Sequence, residues 1–211
     1  HLSGPETAAA SAVAGVICTA DAIPAEPATF AAPATAAAEA VDEVIAETTA
    51  DKPLTMTGRA WVIDEDNIDT DMIFHNRYLA ITDPAEMGQY AFDNLPGWED
   101  FSKKAKPGDI VITAKNFGCG SSRQQAVDCF KTLGVQALVA NSYGAIYERN
   151  AINAGMPVVT ADVVGAGPKD GDIVTVDLAT GKVSWDGGEV VGEPCSEVQM
   201  EIYQRGGLLA K

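Results

Sequence analysis

Between residues 109 and 161 the chain alternates two hydrophobic textures. Asp109-Ile110-Val111-Ile112-Thr113-Ala114, Val135–Asn141 and Pro157–Ala161 are short continuous apolar runs, which predict strands. Between them Ala126, Val127, Cys129, Phe130 and Leu133 recur at helical spacing. Ala145–Ala154 reads as a second helix, stopped by Gly155-Met156-Pro157. This strand–helix alternation predicts a right-handed, largely parallel core sheet. Upstream, Thr57–Ile63 alternates like a strand, and Asp64–Asp71 is a polar loop carrying five acids. Asp83-Pro84 opens a helix running toward Phe92, with the aspartate as cap and the proline in the first turn. Downstream the register changes. Asp172–Leu178, Gly181 and Lys182–Asp186 read as a hairpin, and Glu197–Arg205 as a closing helix before Gly206-Gly207. The expectation is a mixed α/β domain of about 155–160 residues without internal repeats.

Residues 1–53 differ in kind, being mostly Ala, Pro, Thr and Glu. They hold 8 of the 30 acidic residues and 1 of the 14 basic ones. Pro24, Pro27 and Pro33 sit among alanines, a composition that buries too little apolar surface to offset chain ordering. Residues 21–53 therefore read as an Ala/Pro/Glu linker, with an acidic helix possible over Ala36–Glu47. Pro5-Glu6-Thr7, the alanine-rich run after it and Gly15 look like a helix start, a small-residue helix and a glycine stop.

Composition narrows the function classes. Hydrophobic content of 46% suits a globular domain, and a formal net charge of −16 argues against nucleic-acid or anionic-membrane partners. A small anionic ligand stays open wherever a local basic patch receives it. The four cysteines include no CxxC pair, so neither a zinc knuckle nor a self-contained iron–sulfur site is encoded. Sparse cysteines, no bilayer-length apolar run and no signal sequence suit a cytoplasmic setting. A chain that opens on His1 rather than Met reads as a piece of something longer.

The chemistry concentrates in Asn116-Phe117-Gly118-Cys119-Gly120-Ser121-Ser122-Arg123-Gln124-Gln125, between a predicted strand and a predicted helix. Two glycines let the backbone approach a ligand closely, and Ser121 or Ser122 is expected to cap the helix that follows. A helix N-terminus welcomes a phosphate or carboxylate, and Arg123 adds a fork suited to a carboxylate. The bland reading is an ordinary strand-to-helix turn. A hydrolytic triad, a Walker loop and a dinucleotide fingerprint each lack an essential element. Asn67-Ile68-Asp69-Thr70-Asp71 reads as a solvated turn, or as a metal loop lacking the glycine and distal glutamate of an EF-hand. Ser142 and Tyr143, ending the second strand, sit where parallel sheets present ligand-facing residues. Cys119 is more readily a loop filler than a nucleophile.

Together, Asn67-Ile68-Asp69-Thr70-Asp71, Arg77-Tyr78-Leu79, Asn116 to Arg123 and Ala151-Ile152-Asn153-Ala154-Gly155 closely resemble the swivel domain of the aconitase superfamily. The 3-isopropylmalate dehydratase and homoaconitase small-subunit branch fits best, over roughly Leu54 to the C-terminus. The resemblance implies a three-layer β/β/α fold. It implies Ser121 as the base that moves a carbon-bound proton, with Ser122, Arg123 and Gly120 binding a substrate carboxylate. Arg77, Ala80 and Ile81 would face the rest of a small di- or tricarboxylate. Where homoaconitase-like members tend to carry an arginine after Tyr-Leu, this chain has Ala80-Ile81, which suits a branched alkyl substituent. Gln124-Gln125 stands where the family often has Glu-His. The resemblance also implies a [4Fe–4S] cluster held by a large subunit or part, and casts residues 1–20 as the last helix of that part. No metal ligand is expected in this chain. The expected division is thus 1–20, the linker at 21–53 and the swivel domain at 54–211.

Overall fold

The computed structural model describes residues 4–19, 21 and 52–210. The chain divides into two compact units, His1–Glu47 and Thr48–Lys211. In the first, helix α1 spans Pro5–Ala14, with proline in the first turn and an ending at Gly15 (φ 70°), whose N–H donates to Ser11 O. This matches the expected start and stop. The helix considered over Ala36–Glu47 lies outside the described residues, as does most of the predicted linker.

The second unit is built on seven strands: β1 Thr55–Ile63, β2 Ile110–Thr113, β3 Ala137–Ala140, β4 Val158–Thr160, β5 Ile173–Asp177, β6 Lys182–Trp185 and β7 Gly188–Val191. They form a curled sheet in the order β4-β3-β2-β1-β5-β6-β7. Strands β1 to β4 pair in parallel, as the strand–helix alternation requires, while β5, β6 and β7 are added antiparallel. Strand β1 serves both halves. Its first residues, Thr55–Arg59, run antiparallel to β5, and Ala60–Ile63 run parallel to Ile110–Thr113. The changeover needs a residue without a side chain, because a Cβ on Gly58 would lie 1.9 Å from Gly108 O. A single antiparallel bridge between Thr160 and Glu193 joins the far edge back to the chain after β7.

Alternate strand residues feed two cores. Trp61, Ile63, Val111, Leu138 and Val158 pack with Phe92, Phe101, Phe117, Phe130 and Tyr147 on the helical side. Met56, Ala60, Ile110, Ile112, Val139 and Val159 pack with Val174, Val176 and Val183 from the antiparallel strands. The antiparallel half is therefore folded over the parallel one, giving helices, parallel sheet and antiparallel sheet as three layers, the β/β/α arrangement. The helices of this unit are α2 Thr70–Ile73, α3 Pro84–Met87, α4 Phe101–Lys104, α5 Gln125–Leu133, α6 Ala145–Asn153 and α7 Glu197–Arg205.

Two sequence expectations are corrected. The helix from Asp83 stops at Met87 and gives way to a 3-10 turn over Gly88–Tyr90, although Asp83 does cap it through Ala85 N–H. Phe92 adopts φ 60° and donates its N–H to Ile73 O, which turns its ring to within 5.0 Å of Phe101 and 5.1 Å of Phe130. Burial of an aromatic ring, worth about 2–3 kcal/mol, outweighs another helical turn. The hairpin likewise acquires a third strand, β7.

Asp109, immediately before β2, ties β1 to the turn that opens β2. Its buried carboxylate accepts from Arg59 (2.5 Å), Trp61 Nε1 (2.7 Å) and Lys106 N–H (2.8 Å). Burial alone raises this carboxyl, but those three donors outweigh it and hold the group below the usual carboxylate range. A depressed folded-state pKa contributes stability that is complete above the unfolded value of about 3.9 and lost as pH falls through the folded value. Denaturant titrations are therefore expected to show stability falling as pH drops below about 4, less steeply in Asp109→Asn. That variant is also expected to lose about 3 kcal/mol at neutral pH.

Candidate functional site

The loop after β2 continues the parallel sheet by single bridges rather than a full strand. Phe117 bridges Tyr143, and Cys119 bridges Asp69. On one side Asn116 N–H donates to Ser142 Oγ, Phe117 N–H to Ser142 O and Gly144 N–H to Phe117 O. On the other, Asn67 N–H donates to Lys115 O, Gly118 N–H to Ile68 O and Thr70 N–H to Cys119 O. Asn67 and Asn116 both adopt left-handed backbone (φ 61° and 58°), which asparagine tolerates, and their side chains bond to each other at 2.8 Å. Gly118 is required twice over. Its φ is 73°, and a Cβ there would stand 2.1 Å from the Tyr147 ring.

Neither Ser121 nor Ser122 caps α5. That helix starts at Gln125 without a side-chain cap, and the N–H groups of Ala126, Val127 and Asp128 are taken by Arg123 O and Gln124 O. The expected anion cradle at the start of α5 is thus occupied by the chain itself. Ser121 and Arg123 are instead bonded to α2, which holds residues 121–123 off the helical path. The helix start that does border the glycine loop is that of α6. Gly144, Ala145 and Ile146 line an open cleft of about 270 Å³ with Asn116, Gly118, Cys119 and Gly120.

Gly120, Ser121 and Ser122 are exposed on this turn. Ser121 accepts at its carbonyl from Thr70 Oγ1 (3.0 Å), and its hydroxyl makes no hydrogen bond among the described residues. Ser122 Oγ accepts from Asn150 Nδ2 at 3.3 Å. The Arg123 side chain is 14% exposed; its Nη1 donates to Asp71 Oδ1 (2.5 Å) and Phe74 O (3.2 Å). Asp71 also accepts from Asn76 N–H, and His75 Nε2 lies 3.9 Å from its second oxygen. Burial would raise the Asp71 carboxyl, but Arg123, the Asn76 N–H and His75 together hold it below the usual range.

The acidic loop at 67–71 is therefore a brace rather than a solvated turn. Asp69 caps α2 through the N–H groups of Asp71 and Met72, which leaves Thr70 and Asp71 facing the glycine loop. Sequence reading missed both as site residues. The signal was the Asp69 cap position, which fixes the directions of the two residues after it.

Arg77 is bound to the same region through the neighbouring His75, whose Nδ1 accepts its N–H. Its half-exposed guanidinium donates to Asp93 (3.1 Å) and lies over the Tyr78 ring, and Tyr78 OH donates to the same carboxylate oxygen. Ala80 is exposed, whereas Ile81 is half-buried against the helix-side core. Tyr143 does not face a ligand. Its hydroxyl sits between Leu138 O (2.9 Å) and Val159 O (3.2 Å), and burial pushes the phenol well above its ordinary value. Cys119 donates to Asn67 O, and burial together with the Asp69 carboxylate pushes its thiol up, away from a ready nucleophile. Among the described residues no group of three His, Cys, Asp or Glu side chains is arranged to hold a metal ion. The donors among the described residues therefore do not fit a cluster. No described helix is long and apolar enough to cross a membrane.

Residues 67–162 match the family of the aconitase C-terminal domain. The chain is 41% identical over 154 residues to the isopropylmalate/citramalate isomerase small subunit of Methanocaldococcus jannaschii, covering 72% of this chain and 90% of that one. It is 44% identical to the 3-isopropylmalate dehydratase small subunit of Pyrobaculum calidifontis, covering 72% and 93%. Among solved structures, a 3-isopropylmalate dehydratase (leuD) of Methanocaldococcus jannaschii matches with a TM-score of 0.67 and 37% identity, over 74% of this chain and 92% of that one. The fold is thus that of an aconitase-type swivel domain. Within that class, the chain belongs to the 3-isopropylmalate dehydratase small-subunit family of hydro-lyases.

Two outcomes follow from the loop geometry. Gly118→Ala is expected to destabilise the domain by at least about 2 kcal/mol, read from its denaturation midpoint, because the new methyl group meets the Tyr147 ring on strained backbone. Cys119→Ser, assayed with a large subunit, is expected to keep turnover within about twofold of the unaltered protein.

Proposed function

We propose that Ser121, Ser122 and Arg123 form this chain's half of an active site that interconverts 2-isopropylmalate and 3-isopropylmalate by dehydration and rehydration. The observation that carries this reading is the exposed Ser121-Ser122 turn, followed directly by an arginine whose fork is already oriented by Asp71. Arg123 makes no hydrogen bond among the described residues beyond Asp71 and Phe74, so the rest of its fork is available to a substrate carboxylate. Ser122 and the Gly120 backbone complete that grip. Ser121, with its hydroxyl unengaged, takes the proton from the substrate carbon on dehydration. It returns a proton to the neighbouring carbon on rehydration. A serine does this only as an alkoxide, a charge whose cost falls in a site supplied with donors and cations.

Arg77, held by Asp93, meets the second carboxylate, and Ala80 with the open flank of Ile81 receives the alkyl group. The partner in this reading is a large subunit or domain carrying a [4Fe–4S] cluster, which when bound supplies Lewis-acid activation of the leaving hydroxyl. The division into residues 1–20, 21–53 and 54–211 and a cytoplasmic setting belong to the same reading. Four free cysteines support the cytoplasmic setting, while the boundary between the two compact units at Glu47 falls within the 21–53 segment. A second substrate, citramalate, is favoured by the double name of the Methanocaldococcus jannaschii relative. The apolar Ala80-Ile81 pair disfavours the extra carboxylate of a homoaconitase substrate.

With a large subunit present, Ser121→Ala is expected to lower kcat by about 1,000-fold while KM stays within a few-fold. Arg123→Lys is expected to raise KM by about tenfold, because a point charge replaces a planar fork. Comparable turnover by Ser121→Ala would show that another group is the base. Comparing kcat/KM for 2-isopropylmalate, citramalate, dimethylmalate, citrate and homoaconitate decides the substrate, with the branched alkyl malate expected to lead.

A further inference from the structure

Thr70 is 3% exposed, yet it spends both of its hydrogen-bonding donors on the glycine loop. Its N–H donates to Cys119 O (2.9 Å), and its hydroxyl to Ser121 O (3.0 Å). Those carbonyls stand on either side of Gly120, which has φ 95° and no side chain to restrict it. A Cβ on Gly120 would lie 3.6 Å from Thr70 Oγ1, so the threonine sits directly beneath the turn.

Each of these bonds alone is ordinary. Two of them, from one rigid β-branched residue to the carbonyls of the residues before and after a glycine, orient two peptide planes of the turn, 119–120 and 121–122. The second plane fixes the direction in which Ser121 leaves the backbone. This matters because the Ser121 hydroxyl has no hydrogen bond of its own among the described residues, so its placement depends on the main chain.

We infer that Thr70 is the positioning residue for Ser121, an assignment that rests on Ser121 being the base. The next residue, Asp71, holds Arg123, so one turn of α2 sets the proton-transfer group and the carboxylate grip through separate side chains. Buried beneath the loop, Thr70 acts through Ser121 rather than on substrate.

The two roles separate in steady-state kinetics of the small subunit combined with its large subunit. Thr70→Val keeps the shape and removes the hydroxyl. It is expected to lower kcat by about 10- to 100-fold with KM within about twofold, the scale of a misplaced catalytic group. Thr70→Ser keeps the hydroxyl and is expected to restore most of the rate. Asp71→Asn is expected to show the opposite split, with KM rising by about tenfold. Should the valine variant lack a cooperative melting transition, Thr70→Ser against Thr70→Ala decides the same question, since only one retains the hydroxyl. The inference is overturned if Ser121→Ala loses turnover while Thr70→Val keeps it, or if Thr70→Ser loses as much as Thr70→Val. Turnover retained by Ser121→Ala removes the base assignment and this inference with it, and that single variant identifies the case.

Discussion

The structure depends on β1 pairing with two layers at once. Its first half belongs to the antiparallel layer and its second half to the parallel one, and the change is possible because Gly58 passes where any side chain would strike the Gly108 carbonyl. Since Ala60–Ile63 runs parallel to and in register with Ile110–Thr113, both strands end on the same edge of the sheet. The chain leaving β1 therefore meets the chain leaving β2. Residues 67–70 and 115–119 bond main chain to main chain at that edge, where open parallel sheets commonly place their ligands.

The electrostatics follow from this meeting. In a chain of net charge −16, Arg123 and Arg77 each have their own aspartate, Asp71 for Arg123 and Asp93 for Arg77. Each pair gives up part of the arginine's attraction for other anions and gains a fixed direction for the guanidinium. A preoriented fork loses less freedom on binding than a solvated one. The excess acid of the 64–71 loop is thus not all surplus charge. Part of it is the counter-charge that keeps Arg123 in place.

Much of the architecture is legible in local pattern. The apolar runs mark β2, β3 and β4, helical spacing marks α5 and α6, and α7 falls on Glu197–Arg205 as read from the chain. Asp83 caps its helix as expected. The departures share one cause, a contact with a distant residue. Phe92 ends its helix because Ile73 and the aromatic core capture it, and Ser121 fails to cap α5 because Thr70, 51 residues away, holds its carbonyl.

The chain by itself determined the strand and helix alternation, the glycines of the turn and the residue types Ser121, Ser122 and Arg123. Those follow from periodicity and from local backbone limits, which act over a few residues. Only the tertiary structure decided that the helix start bordering the loop is that of α6, that Tyr143 is locked inward, and that α2 carries the loop. These outcomes turn on which strand ends lie side by side, and hydrogen bonds between them join residues about 50 positions apart that no local spacing relates.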